Sequence, residues 1–454
     1  MLKAISPLDG RYSVKTASLS EVFSEYALIR SRCRVEIMYL FALEKTRLFP
    51  AFTDVERIKL SHLVEHFSEF DADRVKEIEA VTKHDVKALE FFLREQLQLV
   101  RPNMIHFGLT SEDVNNLAYS LLFKRFVDDF QVPAIERLIL RLCALAGNIG
   151  HEAFPTRTHG QPASPSTAGK EISVFISRLT RMVHKLKQFK FQGKCNGAVG
   201  NYSAMLAAFP DFDWAGFSRD FVEKMGFSWN ATTTQVEDHD SWAEYFNLTR
   251  GVNTILMDFN VDVWTYLMLG LFHENAEKEE VGSSTMPHKV NPIRFENSEG
   301  NLYVSNALLA MMAEKLPRSR LQRDLSDSTV SRNIGVALAH SWLAILETFE
   351  GVLRLRINKK RCEEELESST MLLAEPIQTM LRPIIQEDPY VLLKEFTRGK
   401  EISEADLHQF IDGLSITPEW KAKMKLLKPS DYVGEAAHIC RLAIEKAFRE
   451  IEQA

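Results

Sequence analysis

With 454 residues the chain has room for two or three domains of roughly 100–200 residues each. Apolar residues make up 45% and charged ones 26%, while glycine (20) and proline (16) amount to about 8% against a usual ~12%, a balance that favours helices over a turn-rich β architecture. The net charge of −7 leaves no basic footprint for nucleic acid, so any anionic ligand has to be held by local cationic pockets.

The N-terminal stretch Met-Leu-Lys-Ala-Ile-Ser-Pro-Leu-Asp-Gly-Arg-Tyr lacks the apolar run of a signal peptide. A helical pattern runs from about Ser18 to Lys45, and Val86, Leu89, Leu93 and Leu97 form a later stripe at helical spacing. Thr110-Ser111-Glu112-Asp113 has the form of a capping box and opens the stripe Val114, Leu117, Leu121, Leu122; Pro133 should kink or interrupt that helix without ending it. Three prolines and a glycine make Pro155 to Pro165 a loop, followed by a helix from about Ser166 to Lys190, and Gly193, Gly197 and Gly200 suggest a small hairpin over 191–202. One long helix is predicted from about Asp240 to His273 and another from Ser328 to about Arg356. The first carries large apolar groups on most faces (Leu248, Val252, Ile255, Phe259, Val263, Trp264, Leu267), and a helix apolar all round must be covered all round. One chain of this size cannot surround several such rods, so self-association is expected. The most apolar stretch, Val263 to Phe272, is about half a bilayer span, so no membrane segment is expected. Five cysteines (Cys33, Cys143, Cys195, Cys362, Cys440) lie far apart with no CxxC pair, which argues against a disulfide frame or structural zinc and fits a reducing cytoplasm.

Chemistry concentrates in four places. Gly282-Ser283-Ser284-Thr285-Met286-Pro287-His288-Lys289-Val290-Asn291-Pro292 is a long loop between long helices, where hydroxyls, a cation and amide donors suit an anion; the bland alternative is a polar connector. Thr156-Arg157-Thr158-His159-Gly160-Gln161-Pro162-Ala163 holds one of thirteen histidines, most of which are structural or surface groups in an ordinary protein. Thr110 and Ser111 sit at a helix start, which caps the helix and also offers free N–H groups to a carboxylate or phosphate. Arg318-Ser319-Arg320-Leu321-Gln322-Arg323-Asp324-Leu325-Ser326-Asp327-Ser328-Thr329-Val330-Ser331-Arg332 places four arginines and several hydroxyls before a helix, either a phosphate cradle or a solvated basic patch. A metal enzyme is a weak alternative: His62 and His66 are four apart, and His273-Glu274-Asn275-Ala276-Glu277 only half resembles the His-Glu-x-x-His zinc motif, so no metal is expected.

The 282–292 loop resembles the signature loop of the fumarase/aspartase superfamily, whose members mostly release fumarate by elimination. Lys83-His84-Asp85-Val86, the His288 of Met-Pro-His-Lys and the 318–332 segment are similar to the adenylosuccinate lyase branch, in its bacterial form, and the similarity runs along nearly the whole chain. The resemblance implies an all-α fold of three helical domains, 1–110, 111–352 and 353–454, with a central bundle of long helices shared in a homotetramer whose active sites draw on three chains. It implies elimination of fumarate from a small nucleotide-linked succinate, with no cofactor, Ser283 as general base and His159 as general acid. Residue by residue it assigns substrate contacts to Arg11 and Tyr12, to Lys83, His84 and Asp85, to Thr110, Ser111 and Thr158, and to Gln235 and Asn297. Lys289 and Asn291 would hold the succinyl carboxylates and Arg323, Ser328 and Arg332 the phosphate, with Ser284, Val290, Thr329, Val330 and Ser331 as further substrate contacts. Rival readings are an argininosuccinate lyase-like enzyme, a carboxymuconate cycloisomerase, and a crystallin-like scaffold without activity.

Overall fold

The computed structural model describes residues 2–275, 286, 290–397 and 402–452. It divides into two compact units: Met1–Ala134 with Met182–Thr254 and Gly300–Ala344, and Ile135–Arg181 with Ile255–Glu299 and Ile345–Ala454.

In the first unit the helices Glu25–Lys45, Asp54–His66, Glu69–Thr82 and Asp85–Leu97 surround a core that includes Ile37, Leu40, Leu60, Phe92 and Leu93. Local capping sets their boundaries. Thr53 with Glu56 and Ser68 with Asp71 form capping boxes, each satisfying orphan N–H groups reciprocally. The helix predicted from Ser18 in fact starts at Glu25, because Ser24 is extended and accepts the Ala27 N–H at 3.1 Å; two short helices, Ser13–Thr16 and Ser20–Phe23, precede it. Lys83, at φ 59°, ends one helix, and His84 caps the next by accepting the Lys87 N–H on Nδ1 at 3.2 Å.

The helix Ser111–Phe126 passes through a π turn, Val127–Gln131, into Val132–Asn148. The wide turn lies just ahead of Pro133, whose missing N–H and ring clash disfavour a regular α-turn, so the proline deforms the helix without stopping it. The long helix Asp240–Met268 covers 29 residues, about 44 Å. It ends earlier than predicted: Gly270, at φ 74°, turns the chain into the strand Phe272–Glu274, which pairs antiparallel with Leu355–Ile357. Buried polar groups recur seven residues apart on each long helix. In the first unit Asn253 donates to Ser305 at 3.1 Å and accepts from Ser341 at 2.6 Å. In the second unit Asn260 donates to Ser298 at 2.9 Å and accepts from Thr348 at 3.2 Å. Such satisfied layers fix helix register, since any slip would strand a buried amide.

The helical run Ser326–Arg354 is long and apolar enough to cross a bilayer by length and composition, more so than the stretch singled out above, and 72% of its apolar window is buried within the chain. The second unit also has a separate C-terminal core of Leu373, Ile377, Leu381, Leu393, Leu407, Ile411 and Met424. The small hairpin expected over 191–202 is absent. Gln192–Gly193 instead pairs in parallel with Ser228–Trp229, because the glycines let this segment lie close against 233–235: a Cβ on Gly200 would fall 2.3 Å from the Thr233 carbonyl oxygen.

Candidate active site

His159 is carried in the second unit on a β-hairpin, not on the irregular loop expected for Pro155 to Pro165. Strand Ala153–Thr158 pairs with Gln161–Thr167, closing with Thr158 opposite Gln161. The two turn residues, His159 at φ 54° and Gly160 at φ 74°, are both left-handed, as a tight two-residue hairpin with the natural strand twist requires. Prolines are tolerated because both strands of a two-stranded ribbon are edges: Pro162 faces Arg157, and Pro155 lies at the register shift between Phe154 and Thr156. Arg157 is ion-paired with Glu365, Ser164 bonds Glu375, and Thr156 bonds the Ser164 carbonyl at 2.7 Å. The ribbon is thus anchored, while Thr158 and the imidazole of His159 are exposed at its tip.

Thr110 and Ser111 open the Ser111–Phe126 helix as the capping pattern predicts, with the Asp113 carboxylate accepting the Thr110 N–H at 2.8 Å. Asp113 is wholly buried. It also accepts the Asn196 N–H at 2.9 Å and pairs with the fully buried ammonium of Lys194 at 3.3 Å.

From separate stretches of the first unit the cationic groups converge. Arg323 pairs with Glu112 at 3.0 Å and donates to the Gln235 side chain at 3.3 Å. Arg332 pairs with Glu25 at 3.1 Å and lies 3.9 Å from Asp85, which also pairs with Arg32 at 2.8 Å. Burial alone would raise the Asp85 carboxyl, but Arg32 and the Val86 N–H outweigh it and hold it below the usual range. A narrow cleft is lined by Arg32, Glu112, Asn115, Tyr119, His239 and Trp242 together with Asp327, Ser328, Ser331 and Arg332. Inside it burial lowers the His239 pKa; Nδ1 lies 3.3 Å from the Leu316 carbonyl, and the imidazole packs against Trp242 with ring centroids 4.3 Å apart and the planes tilted by 51°. Three arginines among carboxylates and hydroxyls can exchange carboxylate partners for a phosphate, whose geometry the guanidinium fork matches.

Of the predicted contacts, Asp85, Gln235, Arg323, Ser328, Ser331 and Arg332 belong to this cluster. Lys83 and His84 are exposed at its border helix; Thr329 and Val330 lie in the same short helix, Ser326–Ser331. Arg11 and Tyr12 sit in the N-terminal turns, where the Tyr12 carbonyl accepts from the Thr16 hydroxyl at 3.0 Å. Ser283, Ser284 and Lys289 lie outside the described residues. Val290 is exposed, the Asn291 carbonyl accepts the Ile293 N–H at 2.8 Å, and Asn297 lies on the Ile293–Lys315 helix. Arg32, Glu112, Asn115, Tyr119, His239 and Lys194 were not anticipated. Each looks in sequence like an ordinary helix or loop residue, and only the fold assembles them.

Two family models cover most of the chain: "Lyase" over residues 10–305 and "Adenylosuccinate lyase C-terminal" over residues 319–433. Curated adenylosuccinate lyases are similar over almost their full length. The Escherichia coli (strain K12) protein is 46% identical over 443 residues, 96% of this chain and 97% of the relative. The Haemophilus influenzae protein is 45% identical over 446 residues, 96% of this chain and 98% of the relative. Among solved structures, a fumarate lyase from Mesorhizobium sp. BNC1 superposes with a TM-score of 0.78 at 17% identity, covering 94% of this chain and 97% of that one. The 3-carboxy-cis,cis-muconate lactonizing enzyme from Pseudomonas putida superposes at 0.77 and 19% identity, over 96% and 98%. These two distant matches show the fold alone. With both family models matched and full-length relatives this close, the chain is a lyase and belongs to the adenylosuccinate lyase family.

Proposed function

We propose that the chain eliminates fumarate from adenylosuccinate, giving AMP, and from the succinylated aminoimidazole carboxamide ribotide, giving the free carboxamide, two steps of purine nucleotide synthesis. The observation that carries this reading is the meeting of Asp85, Gln235, Arg323, Ser328 and Arg332 in one cluster of ion-paired arginines and hydroxyls, whose guanidinium groups suit a nucleotide phosphate.

The reaction removes a weakly acidic proton from a carbon next to a carboxylate, which places a second negative charge on that carboxyl group. Lys289 and amide donors, Asn291 among them, stabilise the dianion as it develops; Thr110, Ser111, Ser284 and Val290 contact the succinyl portion. Ser283 acts as the base, which requires an electropositive, water-excluded setting because a free serine is a poor base. His159 donates a proton to the departing nitrogen, and Thr158 beside it contacts substrate. Arg11, Tyr12, Lys83, His84 and Asn297 complete the nucleotide and succinyl contacts, and Thr329 to Ser331 line the phosphate side.

The same reading makes the active form a cytoplasmic homotetramer with sites built from three chains. It is supported by exposed apolar groups on the long helices, Val261, Trp264, Met268, Tyr303 and Met311, and by the uncovered His159. The three-domain division at 110 and 352 goes with it, supported by the separate apolar cores within 29–105 and 373–424. The test is incubation of the purified chain with adenylosuccinate in chelator-containing buffer, followed by ultraviolet absorbance and product separation. AMP and fumarate in equal amounts are expected. Cleavage of argininosuccinate or lactonisation of carboxymuconate instead, with adenylosuccinate intact, would refute the assignment.

A further inference from the structure

The one fully buried lysine of the first unit among the described residues performs no step in the proposed reaction, and its surroundings link two of the predicted substrate contacts. The Lys194 ammonium donates to the carbonyls of Gln235 at 2.6 Å, Gly197 at 3.0 Å and Thr234 at 3.4 Å, and faces Asp113 at 3.3 Å. Three main-chain acceptors from two chain segments point at one spot. An ammonium with three protons satisfies them, and Asp113 supplies the counter-charge a buried cation needs. The two segments lie backbone against backbone: Gly197 and Gly200 are left-handed at φ 83° and 80°, and Asn196 donates to the Thr233 hydroxyl at 2.8 Å.

The arrangement closes a ring. Glu112 and Asp113 are neighbours at the start of the Ser111–Phe126 helix; Glu112 holds Arg323 at 3.0 Å and Asp113 holds Lys194. Both cations meet at Gln235, Arg323 on its side-chain oxygen and Lys194 on its carbonyl, while the Gln235 amide donates to the Ala198 carbonyl at 3.1 Å. We infer that Lys194 is a positioning residue for nucleotide binding, clamping the Gln235 main chain to the capped helix start so that the Gln235 side chain meets Arg323. The inference rests on the function proposed above and assigns no chemical step to Lys194, which is too buried to touch substrate.

The experiment compares the wild type with Lys194→Met and with the charge-free pair Lys194→Met/Asp113→Asn, using adenylosuccinate turnover and calorimetric titration with AMP. In whichever variant folds, KM should rise and AMP affinity fall about tenfold or more, with kcat changed far less, because misplacement of a binding group by a fraction of an ångström has effects of this order. A lysine that only stabilised the fold would lower Tm and leave KM and AMP affinity at wild-type values; that result would overturn the inference. A second measurement needs no variant: saturating AMP should slow hydrogen exchange at the Asn196 and Gly197 amides, which donate to Asp113, as well as over 323–332. Protection confined to 323–332 would equally count against the clamp. A wild type that neither cleaves adenylosuccinate nor binds AMP would instead refute the underlying functional reading.

Discussion

The arginines at the cleft are graded in what they are free to do. Arg32 is 5% exposed and bound to Asp85, Arg323 is 16% exposed and held by Glu112 and Gln235, and Arg332 is 46% exposed. Their freedom to trade a carboxylate for a ligand rises in that order, and Arg332 is the freest to turn toward one. Removing Arg323 strands the buried Glu112 carboxylate, whereas removing Arg332 leaves only exposed or half-exposed partners behind. Chemistry and binding should separate in the same way at Ser283: Ser283→Ala is expected to bind substrate almost normally, measured by titration, while kcat falls by orders of magnitude. A third residue gives a pH dependence. Burial draws the His106 pKa down, but the Glu36 carboxylate 2.5 Å away outweighs it, and the net value lies above the ordinary 6.5. The folded state therefore binds this proton more tightly than the unfolded chain. The resulting stability is fully present below about 6.5 and is lost as pH rises through the raised value. Thermal unfolding followed from pH 6 upward should show that decline in the wild type and a flatter profile in His106→Gln.

At the scale of elements, the hairpin under His159 is the clearest structural device. A left-handed glycine is needed at its turn, and a Cβ on Gly160 would meet nothing within 4 Å, so the cost of Gly160→Ala comes from backbone conformation alone. That cost should be about 1 kcal/mol in denaturant unfolding, and kcat should fall with KM little changed as the imidazole loses its place. The hairpin was also where sequence reasoning failed. Three prolines read as a loop, because the rule that prolines break strands applies to strands bonded on both sides, and here each strand has a free edge. The capping signal was legible at Thr110 with Asp113, which stands as predicted, since caps depend on neighbours three residues away. Ser24 was missed because an apolar stripe continues across it, and stripe alone cannot reveal a change of helix. Lys194 was invisible for a different reason: its partners come from residues 3, 40–41 and 81 positions away, so no local pattern records them.

Across the whole molecule, a preference for helices followed from composition and from long apolar periodicities, the all-α fold was implied by the resemblance, and among the described residues the structure adds three two-stranded ribbons. What periodicity could not supply was the register of the long helices, which rests on the Asn253 and Asn260 layers. Exposed Trp264, Met268 and Tyr303 on those helices call for a covering surface, and the proposed tetramer supplies it with other copies of the chain. Sites shared between chains, as proposed, would have a direct consequence. Ser283→Ala and His159→Gln homo-oligomers, each inactive, should regain turnover when dissociated and reassembled together, because some sites then receive both intact groups. No recovery in properly mixed assemblies would place both residues in one chain's site. The central claim, fumarate release from a nucleotide gripped by its phosphate, is tested most directly by kcat/KM for adenylosuccinate against its dephosphorylated nucleoside, in wild type and in Arg332→Ala. The wild type should prefer the nucleotide strongly and Arg332→Ala should lose most of that preference. Equal cleavage of nucleotide and nucleoside by the wild type would contradict it.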